Sequence, residues 1–266
     1  MGDKTGVGWT DHTYNQWWGC EKVSPACRIC YAKDQADDYG RTGLWGPGSI
    51  THRRIMAIST QEKPYVWNRH AIKTGIVEKV FTGSMGDICE PHPDVVNARK
   101  KLITIIKETT MLRWQLLTKR PENFNRFFPW QKWPSHVGAG CSVENQKYAD
   151  ERIPYLLEVP AAYHFLSVEP LLGPVDLTPY LYDLDWIIIG GESDWLSEKD
   201  DAREMKLEWV TDIMEQCKAV GGIPIFMKQM GSAWAREHKA VNQKGEDMRE
   251  WPKKFQIQQL PPQLLH

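Results

Sequence analysis

Short apolar segments recur along the middle of the chain, and each is followed by polar or glycine residues and then by a stretch that indicates a helix. Near-continuous apolar runs are typical of parallel strands that are buried on both faces. The six clearest predicted strands are residues 79–82, 114–117, 137–141, 163–168, 186–189 and 223–227. The alternation of strands and helices predicts an α/β fold.

Two longer segments carry apolar residues at helical spacing and predict crossover helices. Residues 94–109 place their apolar side chains on one face and their charged side chains on the others. Residues 203–220 repeat this pattern and end at a Gly-Gly pair, which is a common helix stop. A further strand near residues 14–18 would bring the count to seven. Seven strands with intervening helices predict a barrel or an open part-barrel of parallel strands, whose functional loops share one end.

The overall charge excludes a histone-like nucleic-acid binder, because 33 Lys and Arg residues face 34 Asp and Glu residues in a chain of 266. Any contact with nucleic acid must therefore come from a local patch. No apolar run is long enough to cross a bilayer, and residues 1–10 lack the charged-then-apolar order of a secretory signal. We therefore expect a cytoplasmic protein that does not contact a membrane.

The charge is unevenly distributed along the chain. Residues 99–126 hold eight Lys or Arg and two Glu, whereas residues 183–204 hold eight acidic and two basic residues. Basic and aromatic residues also interleave at Arg53, Arg54, Tyr65, Trp67, Arg69 and His70. Such a segment can stack bases and neutralise phosphates. The plainer alternative is a solvated helix face with its tryptophan in the core.

The sharpest signal is the spacing Cys20-x6-Cys27-x2-Cys30, which places three of the six cysteines in one short loop. Thiolates bind soft or borderline metals, and a two-residue spacer brings neighbouring sulfurs to one ion or one cluster. Three thiolates without an obvious fourth ligand indicate a four-iron four-sulfur (4Fe-4S) cluster with one open iron. A zinc site completed from elsewhere in the chain, with a purely structural role, is the alternative.

The cysteine loop, with Ile29 before its last cysteine and Tyr31 after it, resembles the cluster loop of radical S-adenosylmethionine (SAM) enzymes. The usual spacing in those enzymes is C-x3-C-x2-C, and this chain has six residues in the first gap. A resemblance over nearly the whole chain is to a bacteriophage and prophage family of three-cysteine, radical-SAM-like proteins. The segments that carry this resemblance are residues 18–20, 30–32, 117–121, 167–173, 190–193 and 228–231.

The resemblance implies the radical SAM fold, a partial (βα)6-type TIM barrel with a C-terminal extension. The barrel would take residues 1–231, with the cluster loop at residues 20–30, and the extension residues 232–266. The implied cofactors are SAM and a 4Fe-4S cluster bound by Cys20, Cys27 and Cys30. An external electron donor of the flavodoxin or ferredoxin type would reduce the cluster, and SAM would be cleaved to a 5′-deoxyadenosyl radical that abstracts hydrogen from the substrate.

The resemblance also indicates which segment contacts the amino group of SAM. Radical SAM proteins commonly hold that group with a Gly-Gly-Glu type segment after the second strand, a place that residues 83–87 occupy here. The Ser84 hydroxyl and the carbonyls around Met85 are acceptors for the ammonium group, and Asp87 can pair with its charge. A tight turn between a strand and a helix explains the same segment equally well.

Polar and glycine residues follow the later strands as well. Because parallel strands end at one edge, we expect these residues to lie together around SAM or the substrate. The candidates are Lys119 for a SAM carboxylate or a substrate phosphate, Ser142, Glu144, Asn145, Ser167 and Glu169 for a ribose or an amine, and Gly190, Gly191 and Glu192 for SAM or the substrate. Solvated loop residues and a glycine turn are the alternatives.

Cys89, Cys141 and Cys217 lie in or beside apolar runs, which is typical of buried free thiols. Cys89 and Cys141 are also near predicted strand ends. A thiol at such a place can donate a hydrogen atom to a substrate radical, so these two are the candidate catalytic residues.

Three functions remain open from the sequence. The first is a radical SAM enzyme that hypermodifies or rearranges a phage DNA base or a nucleotide, for which the basic segment supplies the binding charge. The second is a radical SAM enzyme for a small molecule or peptide. The third is a non-catalytic binding protein that zinc stabilises.

Overall fold

The computed structural model describes residues 5–194 and 201–265. Its nine strands are β1 (His12–Tyr14), β2 (Trp17–Trp18), β3 (Arg54–Ile55), β4 (Glu78–Thr82), β5 (Leu112–Thr118), β6 (Val137–Ser142), β7 (His164–Val168), β8 (Trp186–Gly190) and β9 (Ile225–Gln229). Seven of these form one sheet in the order β1-β4-β5-β6-β7-β8-β9, and every neighbouring pair in it is parallel. β2 and β3 form a separate antiparallel pair.

Helices connect the strands of the parallel sheet. The α-helices in the described residues are α1 (Tyr31–Asp38), α2 (Ile58–Gln61), α3 (Lys63–Thr74), α4 (Val96–Glu108), α5 (Phe124–Phe127), α6 (Gln146–Leu157), α7 (Leu207–Ala219) and α8 (Ser232–Glu237). Short 3-10 helices occupy Pro25–Cys27, Pro93–Val95, Pro121–Asn123, Leu181–Asp183, Met248–Glu250, Lys253–Phe255 and Pro262–Leu264. None of the described helices combines the length and apolar character that a bilayer crossing requires.

The predicted α/β part-barrel of parallel strands is confirmed, and all six predicted strands are present with ends shifted by a few residues. The additional strand near residues 14–18 is also present in the parallel sheet, but earlier than predicted: His12–Tyr14 pairs with β4, whereas Trp17–Trp18 pairs with β3. The chain leaves the sheet at Asn15. The side-chain oxygen of Asn15 accepts a hydrogen bond from the Met85 amide at 2.8 Å, and its side-chain nitrogen donates one to the Ser84 hydroxyl at 2.8 Å.

The parallel sheet separates two apolar layers, because side chains on a strand alternate between its faces. Ile187 and Ile189 of β8 join the larger cluster, which includes Leu102, Ile105 and Ile106 of α4. Trp186 and Ile188 of the same strand join a smaller, aromatic cluster with Trp9, Phe81 and Phe165. The ring centroids of Trp9, which precedes β1 at one end of the sheet, and Trp186 of β8, near the other end, are 5.8 Å apart. The sheet is therefore curled into a half-barrel around the aromatic cluster.

Two glycines in β6 make room for aromatic rings on the concave face. A Cβ atom at Gly138 would lie 2.1 Å from the Tyr163 ring, and one at Gly140 would lie 2.5 Å from the Phe165 ring. Both aromatic residues are fully buried. Because Gly138 and Gly140 have no side chains, the rings of Tyr163 and Phe165 can pack against β6 on the concave face of the half-barrel.

We expect Gly138→Ala to lower the free energy of unfolding by about 1–3 kcal/mol, because the added methyl group must displace a packed ring. Urea unfolding followed by tryptophan fluorescence measures this change. Gly173→Ala is the matched control, since its Cβ would meet the Asn145 Cβ at an ordinary 3.5 Å. Equal stability of the two variants would contradict the close packing at β6.

The segment after Gly231 packs against the half-barrel. Trp234, Trp251 and Phe255 belong to the larger apolar cluster, and Leu264 belongs to the aromatic one. The Met227 amide donates to the Ile257 carbonyl at 2.8 Å beside the edge strand β9. This contact covers a strand edge that would otherwise be exposed. The division into a barrel and an extension at residue 231 stays a prediction.

Candidate active-site cavity

A cavity open to solvent, with an empty volume of about 1160 Å³, lies at the carboxyl ends of the parallel strands. Strands β4 to β9 all contribute to its lining, either from their ends or from the loops that follow. The polar residues that line it from these elements are Ser84, Asp87, Thr118, Lys119, Ser142, Ser167, Glu169, Glu192, Ser193 and Lys228. The edge of the sheet where functional loops were expected is therefore the edge that holds the cavity.

Apolar residues form another part of the cavity wall. Trp9, Phe81 and Leu117 line it and also belong to the aromatic cluster or pack against it. Tyr31 and Trp45 line it beside the cysteine loop. Sequence reasoning missed Trp9, because this residue precedes the first strand and no pattern shows that it turns into the half-barrel.

Cys20, Cys27 and Cys30 all line this cavity and are half-buried. Cys27 ends a 3-10 helix, and Cys30 is the N-cap residue of α1. Cys20 lies on a different arm of the loop and forms a parallel backbone bridge with Trp45. Burial raises the pKa of the Cys20 and Cys30 thiols above their usual range.

The set of side chains at the cavity decides which metal group it could hold. Apart from the three cysteines, none of the described lining residues is a Cys or His. Three lining carboxylates are already in ion pairs, namely Asp87 with Arg120, Glu169 with Lys228 and Glu192 with Arg203.

The positions of these side chains do not suit a single metal ion. Within residues 5–194 and 201–265, no three His, Cys, Asp or Glu side chains are grouped to hold one. A closed tetrahedral zinc site is therefore not formed by the described residues. The same finding covers the three cysteines, so the described residues show no metal cluster site, and a cluster rests on the chemistry of three thiols that line one cavity.

Asp87 and Arg120 form a buried pair beside Cys20. One oxygen of Asp87 accepts from the Thr118 hydroxyl at 2.5 Å and the Cys89 amide at 2.9 Å. The other accepts from the Lys119 amide at 3.1 Å and from Arg120 Nη1 at 2.9 Å. Burial acts to raise the pKa of Asp87, but Arg120 and these donors hold it below its usual value. The four bonds occupy the carboxylate of Asp87, and its predicted pairing with the ammonium group of SAM stays a prediction.

Glu169 and Lys228 present both signs of charge to the cavity. They come from the neighbourhood of β7 and from β9, and their side chains are in direct contact. Gly191 lies between the same strands, where a Cβ would meet the Met230 carbonyl oxygen at 2.2 Å. A residue with any side chain would therefore push the loop after β8 away from this part of the cavity.

Glu192 joins the loop after β8 to the cysteine loop. Its carboxylate is almost fully buried and accepts from the Arg203 amide at 2.9 Å and from Arg203 Nε at 2.8 Å. Arg203 Nη2 in turn donates to the Pro25 carbonyl at 2.9 Å. This chain of bonds holds the turn that ends at Cys27.

Lys119, Ser142 and Ser167 line the cavity side by side. Ser142 and Ser167 are register partners on β6 and β7. Burial raises the pKa of Cys30, and the charge of Lys119 opposes this effect. These three side chains supply donors suited to the oxygens of a ligand.

Six predicted site residues do not line the cavity, and each has another role. Met85 is buried against Trp18 and Ala36, and Asn145 caps α6. Gly190 is the last residue of β8. Glu144 does not line the cavity either, because its carboxylate is fully buried and pairs with Arg152 at 2.8 Å.

The two candidate hydrogen donors, Cys89 and Cys141, complete this group. Both thiols are fully buried, and neither lines the cavity. Burial raises the pKa of Cys141 to about 12 and that of Cys89 well above its usual value. Their role as hydrogen donors stays a prediction.

The basic and aromatic segment before α4 does not form a nucleic-acid face as a whole. The Arg53 side chain is fully buried and pairs with Glu90 at 2.7 Å. Trp67 is buried and stacks on His12 with 4.1 Å between ring centroids. In the basic stretch that follows, Arg99 lies over the Phe127 ring at 3.9 Å. Arg53 and Arg99 are thus buried in the fold, whereas most of the other basic residues of these stretches stay exposed or half-buried.

Residues 4–260 match the model of a family described as "Protein of unknown function (DUF5131)". The chain belongs to the DUF5131 family. No curated protein matches the DUF5131 chain.

Two solved structures of spore photoproduct lyase are similar to the DUF5131 chain. One is a mutant with bound AdoMet and dinucleoside spore photoproduct, which matches with 12% identity and a TM-score of 0.42 over 78% of this chain and 61% of the other. The second is a complex with dinucleoside spore photoproduct, at 12% identity and a TM-score of 0.40 over 76% of this chain and 59% of the other. The DUF5131 chain thus spans about three fifths of the length of these two proteins.

Proposed function

We propose that this protein is a radical SAM enzyme whose cavity holds a 4Fe-4S cluster on Cys20, Cys27 and Cys30. The observation that carries the proposal is that these three thiols are the only Cys or His side chains among the described residues of a cavity at the carboxyl edge of a parallel half-barrel. When bound, the cluster and SAM would supply an electron and a 5′-deoxyadenosyl radical that abstracts a hydrogen atom from the substrate.

The polar wall of the cavity can orient SAM. Glu169 and Lys228 offer an acceptor and a donor to the zwitterionic amino-acid part of the molecule, whose charges suit a pair of opposite sign. Ser142 and Ser167 offer adjacent hydroxyls to a ribose. Asp87 has a different part in this proposal, which is to hold Arg120 beside Cys20.

The apolar wall of the cavity protects a reactive radical. Trp9, Phe81 and Leu117 exclude water from the side of the cavity next to the aromatic cluster. Excluding water and stray hydrogen donors prevents side reactions of a radical. The apolar packing of the half-barrel therefore serves both stability and the proposed chemistry.

The substrate that we propose is a DNA base or a nucleotide, as in the modification of phage DNA. Tyr31 and Trp45 line the cavity together with Lys119, and aromatic rings beside a cation suit a base and its phosphate. Enzymes that act on a base reach it in single-stranded substrate or after it is turned out of the duplex, so we expect a base to enter this cavity in one of those two ways.

Anaerobic reconstitution with iron and sulfide tests the cofactor assignment. We expect a brown protein with about four irons per chain that forms 5′-deoxyadenosine from SAM under reduction. A flavodoxin or ferredoxin type donor is expected to replace the chemical reductant. A colourless protein that holds one zinc ion and leaves SAM intact would contradict the proposal.

The substrate class is tested with the reconstituted protein. We expect single-stranded oligodeoxynucleotides to stimulate 5′-deoxyadenosine formation more than the matching duplex or unrelated peptides. With a deuterated oligonucleotide, deuterium should appear in 5′-deoxyadenosine by mass spectrometry. Stimulation by peptides or small metabolites alone would exclude the nucleic-acid substrate and retain the radical SAM chemistry.

A further inference from the structure

Arg120 brings a fixed positive charge to one of the three cysteines. Its Nη1 lies 3.7 Å from Cys20 Sγ, within hydrogen-bonding range for a sulfur acceptor, and 2.9 Å from Asp87 Oδ2. Its Nη2 donates to the Glu21 carbonyl at 2.9 Å. The side chain is 8% exposed, so little water competes for the guanidinium group.

The surroundings of Arg120 prevent it from turning away. Asp87, its partner, is held by the Thr118 hydroxyl and by the Cys89 and Lys119 amides. The backbone amide of Arg120 itself donates to the Thr118 hydroxyl at 2.9 Å. The loops after β4 and β5 thus hold the guanidinium group on one side, and its bond to the Glu21 carbonyl joins it to the cysteine loop on the other.

Cys20 is anchored to the same part of the fold. The Gly19 amide donates to the Met85 carbonyl at 2.9 Å, and the Glu21 amide donates to Glu90 Oε1 at 2.9 Å. The six residues between Cys20 and Cys27 separate this arm from the turn that carries the other two cysteines. The Cys20 sulfur is therefore held by different contacts from the Cys27 and Cys30 sulfurs, and Arg120 is its charged neighbour.

We propose that Arg120 is a positioning residue that donates a hydrogen bond to the Cys20 thiolate and raises the reduction potential of a cluster bound there. This inference rests on the proposed function. Reduction adds one electron from the external donor to the cluster, and the guanidinium stays protonated, so no proton moves in the step. A hydrogen bond and a positive charge at a ligand sulfur favour the form with more negative charge, which is the reduced one.

The test is the midpoint potential of the reconstituted cluster, followed by electron paramagnetic resonance during a redox titration. The double variant Asp87→Asn/Arg120→Met removes the donor and its partner together, so the net charge is kept and no buried charge is left unpaired. We expect a shift to a more negative potential. Asp87→Asn alone keeps Arg120 and removes its counter-charge, and we expect a shift in the opposite direction.

Glu144→Gln/Arg152→Met is the matched control, because it removes a second buried Arg-carboxylate pair that does not contact the cysteine loop. Its potential should equal that of the wild-type protein. If the Arg120→Met double variant fails to fold, Arg120→Lys keeps the charge and shortens its reach, and a negative shift is again expected. An unchanged potential in a loaded variant would overturn the role of Arg120 alone. A wild-type protein that binds no iron would overturn the proposed function and this inference together.

Discussion

Cys27→Ala is expected to abolish SAM cleavage while the half-barrel remains folded. The variant leaves two thiolates in a cavity whose described residues include no other Cys or His to replace the third. Loss of a residue that merely supports a metal ligand typically lowers affinity or activity by 10–100-fold, so loss of a ligand should exceed about 100-fold. The Cys27 side chain is half-buried and has one long contact, at 3.9 Å from the Ser24 hydroxyl. The free energy of unfolding should therefore change by no more than about 1 kcal/mol.

Iron content, 5′-deoxyadenosine formation and urea unfolding measure these effects on one protein preparation. Cys217→Ala is the control, since that thiol is buried on α7 and lies outside the cavity. It should retain iron and SAM cleavage while losing some stability. Full activity of Cys27→Ala, or a loss of folding that matches its loss of activity, would contradict the ligand role.

Arg152→Met is expected to lower the free energy of unfolding by about 3–5 kcal/mol, because it leaves a fully buried carboxylate without its charged partner. Arg152 Nη1 lies 2.8 Å from Glu144 Oε2 and 2.7 Å from the Ser142 carbonyl. Glu144 is fully buried, and its second side-chain oxygen has no hydrogen-bond partner in the described part of the chain. The pair thus fixes the end of β6, where the cavity begins.

The double variant Glu144→Gln/Arg152→Met should recover most of this stability, since it buries no net charge. Urea unfolding of the wild-type, single and double variants gives the coupling between the two side chains. A reconstituted double variant that still cleaves SAM would assign Glu144 a structural role. Equal stability of the single and double variants would contradict the importance of the buried pair.

The strands were predictable because their residues are buried on both faces. The segment that became β8 is Trp-Ile-Ile-Ile-Gly and that of β7 is mostly apolar, and short apolar runs of this kind followed by polar or glycine residues are typical of buried parallel strands. The sheet edge that holds the cavity followed from the same argument, because parallel strands end together. The cysteines were predictable as a set because all three lie within eleven positions of the sequence.

Other candidate residues were not predictable, because the sequence does not show which charge faces which partner. Arg53 and Arg99 were part of a basic stretch in the sequence, but the fold buries both. Glu144 and Glu192 both follow strands of the parallel sheet, β6 and β8, yet only Glu192 lines the cavity. The end of a strand determines where the following loop begins, whereas the direction of each side chain in that loop depends on the conformation of the loop.

The sequence by itself determined that this protein is a parallel α/β chain with three closely spaced thiols near one sheet edge, since hydrophobic period and cysteine spacing are local properties. The tertiary structure decided that Trp9 lies beside the cavity and that Arg120 lies beside Cys20, one hundred residues away in the chain. Such neighbours are brought together only when the sheet curls and its loops pack. The environment of each thiol therefore depends on long-range packing, although the presence of the thiols does not.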